Sequence, residues 1–290
     1  MNKKLLPFLL VLLIGTAMKS DKNAYQFFDL KGKKADYQDV LKAALASDIV
    51  FFGEIHTSPI CHWLQIELTK DLFAEKKENL VLGAEMFESD NQLLLNEYLS
   101  GKVKEKNFEE EARLWKNYKT DYKPLVKFAF DNKLPFIATN VPRRYAALVN
   151  SKGFEALDDL SPEAKQLLPP LPIKYDPELE GYKSMVEMMR SMDSTHATDN
   201  IAKAQALKDA TMAFFILENW QEGKLFIHYN GTYHSENFEG IVWYIRQAKP
   251  NLKILTIASV EQDELDSLVE ENQGLADFTL CMPTSMTKTN

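Results

Sequence analysis

The sequence predicts an α/β fold in which helices flank a mostly parallel sheet, with a helical cap inserted between two strands. Three observations lead to this prediction. Short apolar runs rich in β-branched and aromatic residues recur along the chain, helical patterns separate them, and one separating stretch is far longer than a crossover needs. Strands and helices that alternate in this way form parallel sheets through right-handed crossovers.

Six runs are predicted as strands because each is continuously apolar, as expected for strands that are buried on both faces. In chain order they are residues 49–52, 80–82, 135–138, 225–227, 254–257 and 278–280.

Three of the intervening helices have clear end signals. Ser58 followed by Pro59 is typical of an N-cap with proline in the first helical turn, so a helix begins directly after the first strand. A second helix, at about 199–220, carries apolar residues on one face and ends before Gly223. A third, at about 237–249, stops at Pro250.

The stretch between the third and fourth strands exceeds eighty residues and is punctuated by prolines. One crossover needs far less chain, so we predict that the segment from about 142 to 222 folds over the edge of the sheet as a helical cap. With this insertion, residues 18–290 form a single α/β domain.

The first residues predict export. Lys3 and Lys4 precede an apolar run at 5–14, and small residues follow at 15–17. That run is shorter than the roughly 20 residues that span a bilayer, and the three regions together are typical of a secretory signal cleaved after Ala17. We therefore expect a periplasmic or secreted protein without stable membrane insertion after cleavage. No cysteine lies near the cut, so the sequence does not predict a lipoprotein.

The charge and the cysteines restrict the classes of partner and cofactor. The formal net charge is -8 and no basic cluster occurs, which argues against a nucleic acid as partner. The two cysteines, Cys61 and Cys281, are far apart in sequence and fit either one disulfide or two buried thiols.

Charged and proton-binding side chains follow four of the predicted strands, at the sheet edge where open α/β folds bind ligands. Glu54 and His56 are two residues apart in an extended segment and point the same way. Gly231 permits a tight turn that brings His234 back beside His228. Singly, such residues usually cap helices or contact solvent, but together they predict a site. Its members are Glu54, His56, Glu85, Arg143, His228 and His234.

This cluster supports two chemistries, and the sequence leaves open whether the protein is an enzyme. Imidazoles with carboxylates suit a divalent metal such as Zn, Mn or Fe that activates water. Without metal, His56 oriented by Glu54 or Glu85 acts as a general base, and Arg143 stabilises an anion. The metal-ligand set would be His56, Glu85, His228 and His234.

A methionine stripe lies within the cap. Its members follow helical spacing, which puts them on one face, and His196 comes shortly after. Packing inside the cap is the common reason for such a stripe. The alternative is a pliable apolar wall for a flat ligand such as haem, with Met189 or His196 near the iron. The stripe consists of Met185, Met188, Met189 and Met192.

With these motifs in view, the chain resembles the ChaN-like haem-binding family, which is related to the Tiki proteases and the erythromycin esterases. The resemblance implies an exported protein that binds haem for haem or iron uptake, with haem held between the subunits of a homodimer by tyrosine. Tyr145 and Tyr233 lie nearest the cluster in sequence and are the predicted contacts. The motifs that carry the resemblance are Gly53-Glu54-Ile55-His56, Gly83-Ala84-Glu85, residues 140–144, residues 205–213 and residues 228–234.

The wider relationship implies an alternative function, a hydrolase of the esterase or peptidase type that uses the same cluster. Tiki proteases hold a metal with two Gly-x-x-His motifs and a glutamate, which His56, His234 and Glu85 match. Erythromycin esterases activate water without metal, through a histidine and glutamates that correspond to His56, Glu54 and Glu85.

Overall fold

A central sheet of eight strands organises the part of the chain that the computed structural model describes, residues 22–192 and 199–289. The predicted signal at 1–17 and His196 lie outside these residues. The strands are β1 (Gln26–Asp29), β2 (Lys34–Ala35), β3 (Ile49–Glu54), β4 (Leu80–Glu88), β5 (Phe136–Asn140), β6 (Leu225–Gly231), β7 (Ile254–Gln262) and β8 (Phe278–Pro283).

The strand order is β2-β1-β8-β7-β3-β6-β4-β5. The pairings from β5 across to β8 are parallel, while β1 pairs antiparallel with both β8 and β2. The prediction of an α/β fold with a mostly parallel sheet is therefore confirmed, and all six predicted strands are present. Strands β1 and β2 were not predicted because they are short and lie at the sheet's edge, where neither a long apolar run nor clear alternation is required.

Ten α-helices surround the sheet within the described residues. They are α1 (Tyr37–Leu45), α2 (Pro59–Lys76), α3 (Gln92–Leu99), α4 (Glu105–Glu111), α5 (Lys123–Asn132), α6 (Arg143–Lys152), α7 (Pro162–Lys165), α8 (Glu180–Met192), α9 (Asn200–Asn219) and α10 (Ile241–Ala248). None of them is both long enough and apolar enough to cross a membrane.

The predicted helix ends agree with the observed ones, with one difference. Ser58 caps α2, accepting from the backbone N–H of Cys61, and α9 spans the predicted range. Helix α10 begins later than expected, at Ile241, because Asn237, Phe238 and Gly240 all take positive φ angles. Such angles are incompatible with a right-handed helix, so the chain turns there before the helix starts.

Each face of the sheet is covered by a helical layer, as its continuously apolar strands require. One layer contains α2 and α5, which pack against side chains such as Val50 and Leu82. The other contains α9 and α10, which pack against side chains such as Phe51 and Val81.

The long segment between β5 and β6 divides between cap and sheet. Helix α6 packs against the first half of α9 in a separate apolar cluster that includes Val149 and Leu207. Helix α8 packs against the same half of α9 through Tyr182 and Val186. The second half of α9 lies on the sheet, where Met212 joins the core. One helix therefore packs against both the cap and the sheet beneath it.

Cys61 and Cys281 are both buried and free. Of the two alternatives that the sequence left open, one disulfide or two buried thiols, the structure shows the thiols. Burial raises the pKa of each thiol to about 11, so neither is activated as a nucleophile.

Candidate functional site

The parallel register brings two buried carboxylates together at the carboxyl edge of the sheet. Glu54 at the end of β3 pairs with Gly231 at the end of β6, and β4 runs beside β6 on its other side. Glu54 is 2% exposed and Glu85 on β4 is 6% exposed. Burying two carboxylates is costly unless each is well paired, so their partners determine what the site can do.

Three donors hold the carboxylate of Glu54. Nδ1 of His56 lies 2.9 Å from Oε1, and the hydroxyl of Tyr122 donates to the same oxygen at 2.7 Å. The amide of Gln65 donates to Oε2 at 2.5 Å. Because Glu54 accepts a hydrogen bond from Nδ1–H of His56, the neutral ring carries its proton on Nδ1 and Nε2 is unprotonated. Nε2 faces Gly231.

His56 lies at the boundary between the buried cluster and the surface. Its side chain is 40% exposed, and the Trp115 ring packs edge-on against it with centroids 4.9 Å apart. Burial opposes the charged form, but the carboxylates of Glu54 and Glu85 outweigh it and raise the pKa of His56. A histidine with this surrounding is basic and accessible, as a general base must be.

Glu85 is anchored through both of its oxygens. Oε2 accepts the backbone N–H of Gly231 at 2.7 Å, and Oε1 lies 3.2 Å from Nε2 of His234. Burial acts against ionisation, yet the neighbouring imidazoles of His234 and His56 and the N–H of Gly231 hold the pKa of Glu85 well below its usual range. Glu85 is therefore a fixed carboxylate at the base of the site.

His234 bridges two carboxylates. Its Nδ1 contacts Asp209 on α9, and its Nε2 faces Glu85. Burial lowers its basicity, but the two carboxylates raise the pKa of His234 to about 10, which makes it an imidazolium at neutral pH. The amide of Gln205 lies 3.1 Å from Nδ1. Sequence reasoning did not assign roles to Gln205 or Asp209, although their spacing of four residues on one helix face was a usable signal.

The ring of His228 hydrogen-bonds to residues outside this cluster. Its ring nitrogens are engaged by the hydroxyl of Thr139 at 2.7 Å and by Oδ1 of Asn230 at 3.0 Å. Complete burial lowers the pKa of His228 to about 4, so the ring is neutral. In residues 22–192 and 199–289, no group of three or more histidine, cysteine, aspartate or glutamate side chains is arranged to hold a metal ion. The metal set that includes His228 stays a prediction.

A continuous groove opens over the cluster. It consists of two cavities of about 560 and 920 Å³, which have Glu88, Trp115, Arg143 and Ala147 in common. The first reaches Glu85 and the second reaches His56. Apolar side chains form much of its walls, and five cationic side chains line it. The apolar side chains include Trp115, Val141, Ala146, Met185 and Ile201, and the cationic set is Arg113, Lys116, Arg143, Arg144 and Lys208.

The comparisons with known proteins agree with this architecture. Residues 40–245 match the sequence pattern of a family described as haem-binding uptake, Tiki superfamily, ChaN. The chain belongs to this family. The comparison with curated proteins found no relative.

Two solved structures share the fold of this ChaN-family chain. One is ChaN of Campylobacter jejuni, described with cofacial haem binding, which has a TM-score of 0.66 and 19% identity over 88% of this chain and 96% of that one. Another is a mutant of the erythromycin esterase EreC in its open conformation, with a TM-score of 0.52 and 11% identity over 92% of this chain and 99% of that one.

The three arginines that line the groove of this ChaN-family chain differ in their ion pairs. Arg113 and Arg144 both bind Asp90, and Arg113 also lies 3.0 Å from Glu88. Arg143 is exposed, lines both cavities, and forms no ion pair with any residue that the structure describes. Of the three, Arg143 is the guanidinium most available to an incoming anion.

The predicted haem contacts occupy different positions. Tyr145 is 9% exposed and belongs to the apolar cluster between α6 and α9, while the hydroxyl of Tyr233 donates to the carbonyl of Gly181. Neither tyrosine lines the two cavities. Met185 of the methionine stripe does, and Met189 lies one turn further along the same helix.

Proposed function

We propose that this chain binds haem in the groove above the His/Glu cluster and serves haem or iron uptake as an exported protein. The observation that carries the proposal is the composition of the groove, in which apolar walls combine with cationic side chains. Family membership supports haem as the ligand. The apolar run that precedes the described residues supports export.

The groove fits the chemistry of haem, a flat apolar ring that carries two carboxylates. Trp115 and Ile201 offer apolar surface to the ring, and Met185 supplies a wall that adapts to its shape. Arg143 and Lys116 lie on the same groove and can pair with the carboxylates.

Several side chains are candidates for the iron ligand. The sequence predicts Tyr145, Tyr233, His196 and Met189 as candidates. The lining of the groove adds two more, His56 and Met185. Binding between paired subunits, as the family resemblance implies, would cover the open side of the groove with a second copy of the chain. We therefore propose a homodimer in the haem-bound form.

Reversing the charge of Arg143 tests the groove as the haem site. We expect Arg143→Glu to weaken hemin binding by about 10- to 100-fold, because a charge-assisted hydrogen bond contributes roughly 1.5–3 kcal/mol and is replaced by repulsion. The measurement is a hemin titration followed by absorbance.

The matched control is Arg246→Glu, which makes the same change of charge at an exposed arginine on α10 that does not line the groove. Its hemin affinity should equal that of the wild type. Equal losses in both variants would mean that overall charge, not the groove, governs binding. Hemin uptake by the wild type no greater than a buffer blank would refute the proposed function.

A second function, hydrolysis, is favoured by the arrangement of His56. Its Nδ1 proton is bound by Glu54, its Nε2 is open beside Glu85, and its side chain is exposed to the groove. In this arrangement His56 removes a proton from water, Glu54 holds the ring in the required tautomer, and Glu85 stabilises the imidazolium that forms.

Removing the base tests this second function. We expect His56→Gln to lower the rate of ester hydrolysis by about 10²- to 10⁴-fold, the usual contribution of a general base, while the fold is kept because the ring is partly exposed. The assay uses p-nitrophenyl acetate, with metal content determined on the same preparations.

Thr57→Ala is the control, since Thr57 also lines the groove beside His56 but carries no base. Activity that survives in His56→Gln would eliminate His56 as the base. Loss of activity together with loss of a stoichiometric metal would support the metal-dependent form of the hydrolase instead.

A further inference from the structure

We infer that Asp209 is a positioning residue that orients the Glu85 carboxylate at the base of the groove through His234. This role deepens the second proposed function, since it concerns the carboxylate that faces His56. Asp209 itself is 1% exposed and lines neither cavity of the groove. Any effect it has on a ligand must therefore pass through another side chain.

The placement follows from the geometry of α9. Gln205 and Asp209 are four residues apart, so they lie one above the other on the helix face that meets the end of β6. Both contact the ring of His234, which is 5% exposed. Two polar side chains on an otherwise apolar helix face are costly to bury unless they are used, and here both are directed at one imidazole.

The ring of His234 transmits the position of Asp209 to Glu85. Nδ1 contacts Oδ1 of Asp209, and Nε2, on the other side of the ring, lies 3.2 Å from Oε1 of Glu85. In the described part of the chain, Oε1 has no other hydrogen-bond donor, while Oε2 is held by Gly231. A ring that turned away from Asp209 would release one of the two attachments that orient Glu85.

The second oxygen of Asp209 connects the cluster to the cap. It accepts the hydroxyl proton of Tyr182 on α8 at 2.7 Å, and Tyr182 is 2% exposed. Three residues further along α8, Met185 lines the groove. The wall of the groove and the carboxylate at its base are therefore attached to opposite ends of one hydrogen-bonded chain.

The cap also has an attachment that bypasses Asp209, and this provides a matched control. The carboxylate of Glu239 accepts the backbone N–H groups of Glu180 and Gly181 at 3.0 and 2.8 Å. Replacing Glu239 weakens the hold on the start of α8 without changing any contact of His234 or Glu85.

The test compares wild type, Asp209→Asn and Glu239→Gln in protein labelled with ¹⁵N at histidine, with His234→Gln used to assign the signals. We expect the ring ¹⁵N signals of His234 in Glu239→Gln to match those of the wild type, because no contact of the ring is changed. In Asp209→Asn, which preserves shape but removes the charged partner of Nδ1, the ring signals of His234 should shift because the ring turns away from position 209. Ester hydrolysis in Asp209→Asn should fall about 10- to 100-fold in kcat with KM unchanged, because Glu85 is misplaced.

The outcomes separate this inference from the function on which it rests. An Asp209→Asn spectrum in which the His234 ring signals equal those of the wild type overturns the inference. The same is true if Glu239→Gln loses as much activity as Asp209→Asn, because the effect is then a general loosening of the cap. If the spectra behave as expected but the wild type hydrolyses no ester, Asp209 orients Glu85 and the hydrolytic function fails.

Discussion

Replacing His234 with leucine is expected to lower the free energy of unfolding by about 3–5 kcal/mol, the usual cost of removing one partner from a buried ionic group. In the native protein the His234 imidazolium lies between Glu85 and Asp209, all three being less than 10% exposed. Without it, two buried carboxylates face each other with no cation between them. Urea denaturation followed by circular dichroism measures the loss.

The control is a triple variant in which Glu85→Gln, Asp209→Asn and His234→Gln together replace the ionic group by neutral amides. Since no unpaired charge is then buried, we expect it to be more stable than His234→Leu. If the triple variant is the less stable of the two, packing and not charge is the main contribution of His234.

The His234→Leu variant should also change how the free energy of unfolding depends on pH. The pKa of His234 is raised from 6.5 to about 10, so its stabilisation is complete below pH 6.5 and is lost as the pH rises to 10. The pKa of His228 is lowered from 6.5 to about 4, so its contribution is present above pH 6.5 and is lost as the pH falls to 4. His234→Leu should remove the alkaline loss of stability and keep the acid loss that His228 causes. An unchanged alkaline limb would contradict the charged state assigned to His234.

Replacing Gly231 with alanine is expected to abolish most of the function of the His56 cluster at little cost in stability. A Cβ at this position would lie 2.9 Å from both Cε1 and Nε2 of His56, and 3.6 Å from Oε2 of Glu85. The backbone of Gly231 has a φ of -58°, which alanine adopts without strain. Only the ring has to move, and since it is partly exposed it can turn toward the groove.

That movement breaks the contact between His56 and Glu54. We expect about a 10²-fold loss of ester hydrolysis, as for other displacements of a catalytic group by about 1 Å. The free energy of unfolding should change by no more than about 1 kcal/mol. The ¹⁵N signals of the His56 ring report the displacement directly, whether or not an ester is turned over.

Gly53→Ala is the matched control, because its Cβ would meet backbone where that of Gly231 meets a side chain. The carbonyl oxygen of Ile257 lies 2.7 Å from this position and the Cα of Thr232 lies 2.9 Å from it. Neither can turn away, so overpacking should cost about 1–3 kcal/mol of stability. If Gly231→Ala instead loses stability and leaves the His56 signals unchanged, the ring does not lie against Gly231.

The sequence by itself determined the parts of this protein that depend on local patterns. Continuous apolar runs predicted the six main strands, because burial on both faces of a sheet leaves no place for polar residues. The polar residues that follow the predicted apolar runs of β3, β4 and β5 had to meet at one edge, because parallel strands end on the same side of a sheet. The contact between Glu54 and His56 was predictable from their spacing, since residues two apart in an extended segment point the same way.

The tertiary structure alone decided which of these residues work together. His228 and His234 belong to the same short segment, yet His228 hydrogen-bonds to Thr139 and Asn230, and His234 lies between Glu85 and Asp209. No local pattern states this, because Asp209 is 25 residues from His234 and Glu85 is 149 residues away in sequence. Such contacts exist only after α9 and β4 have packed around the same strand. Packing, not spacing, therefore determines the partners of His228 and His234.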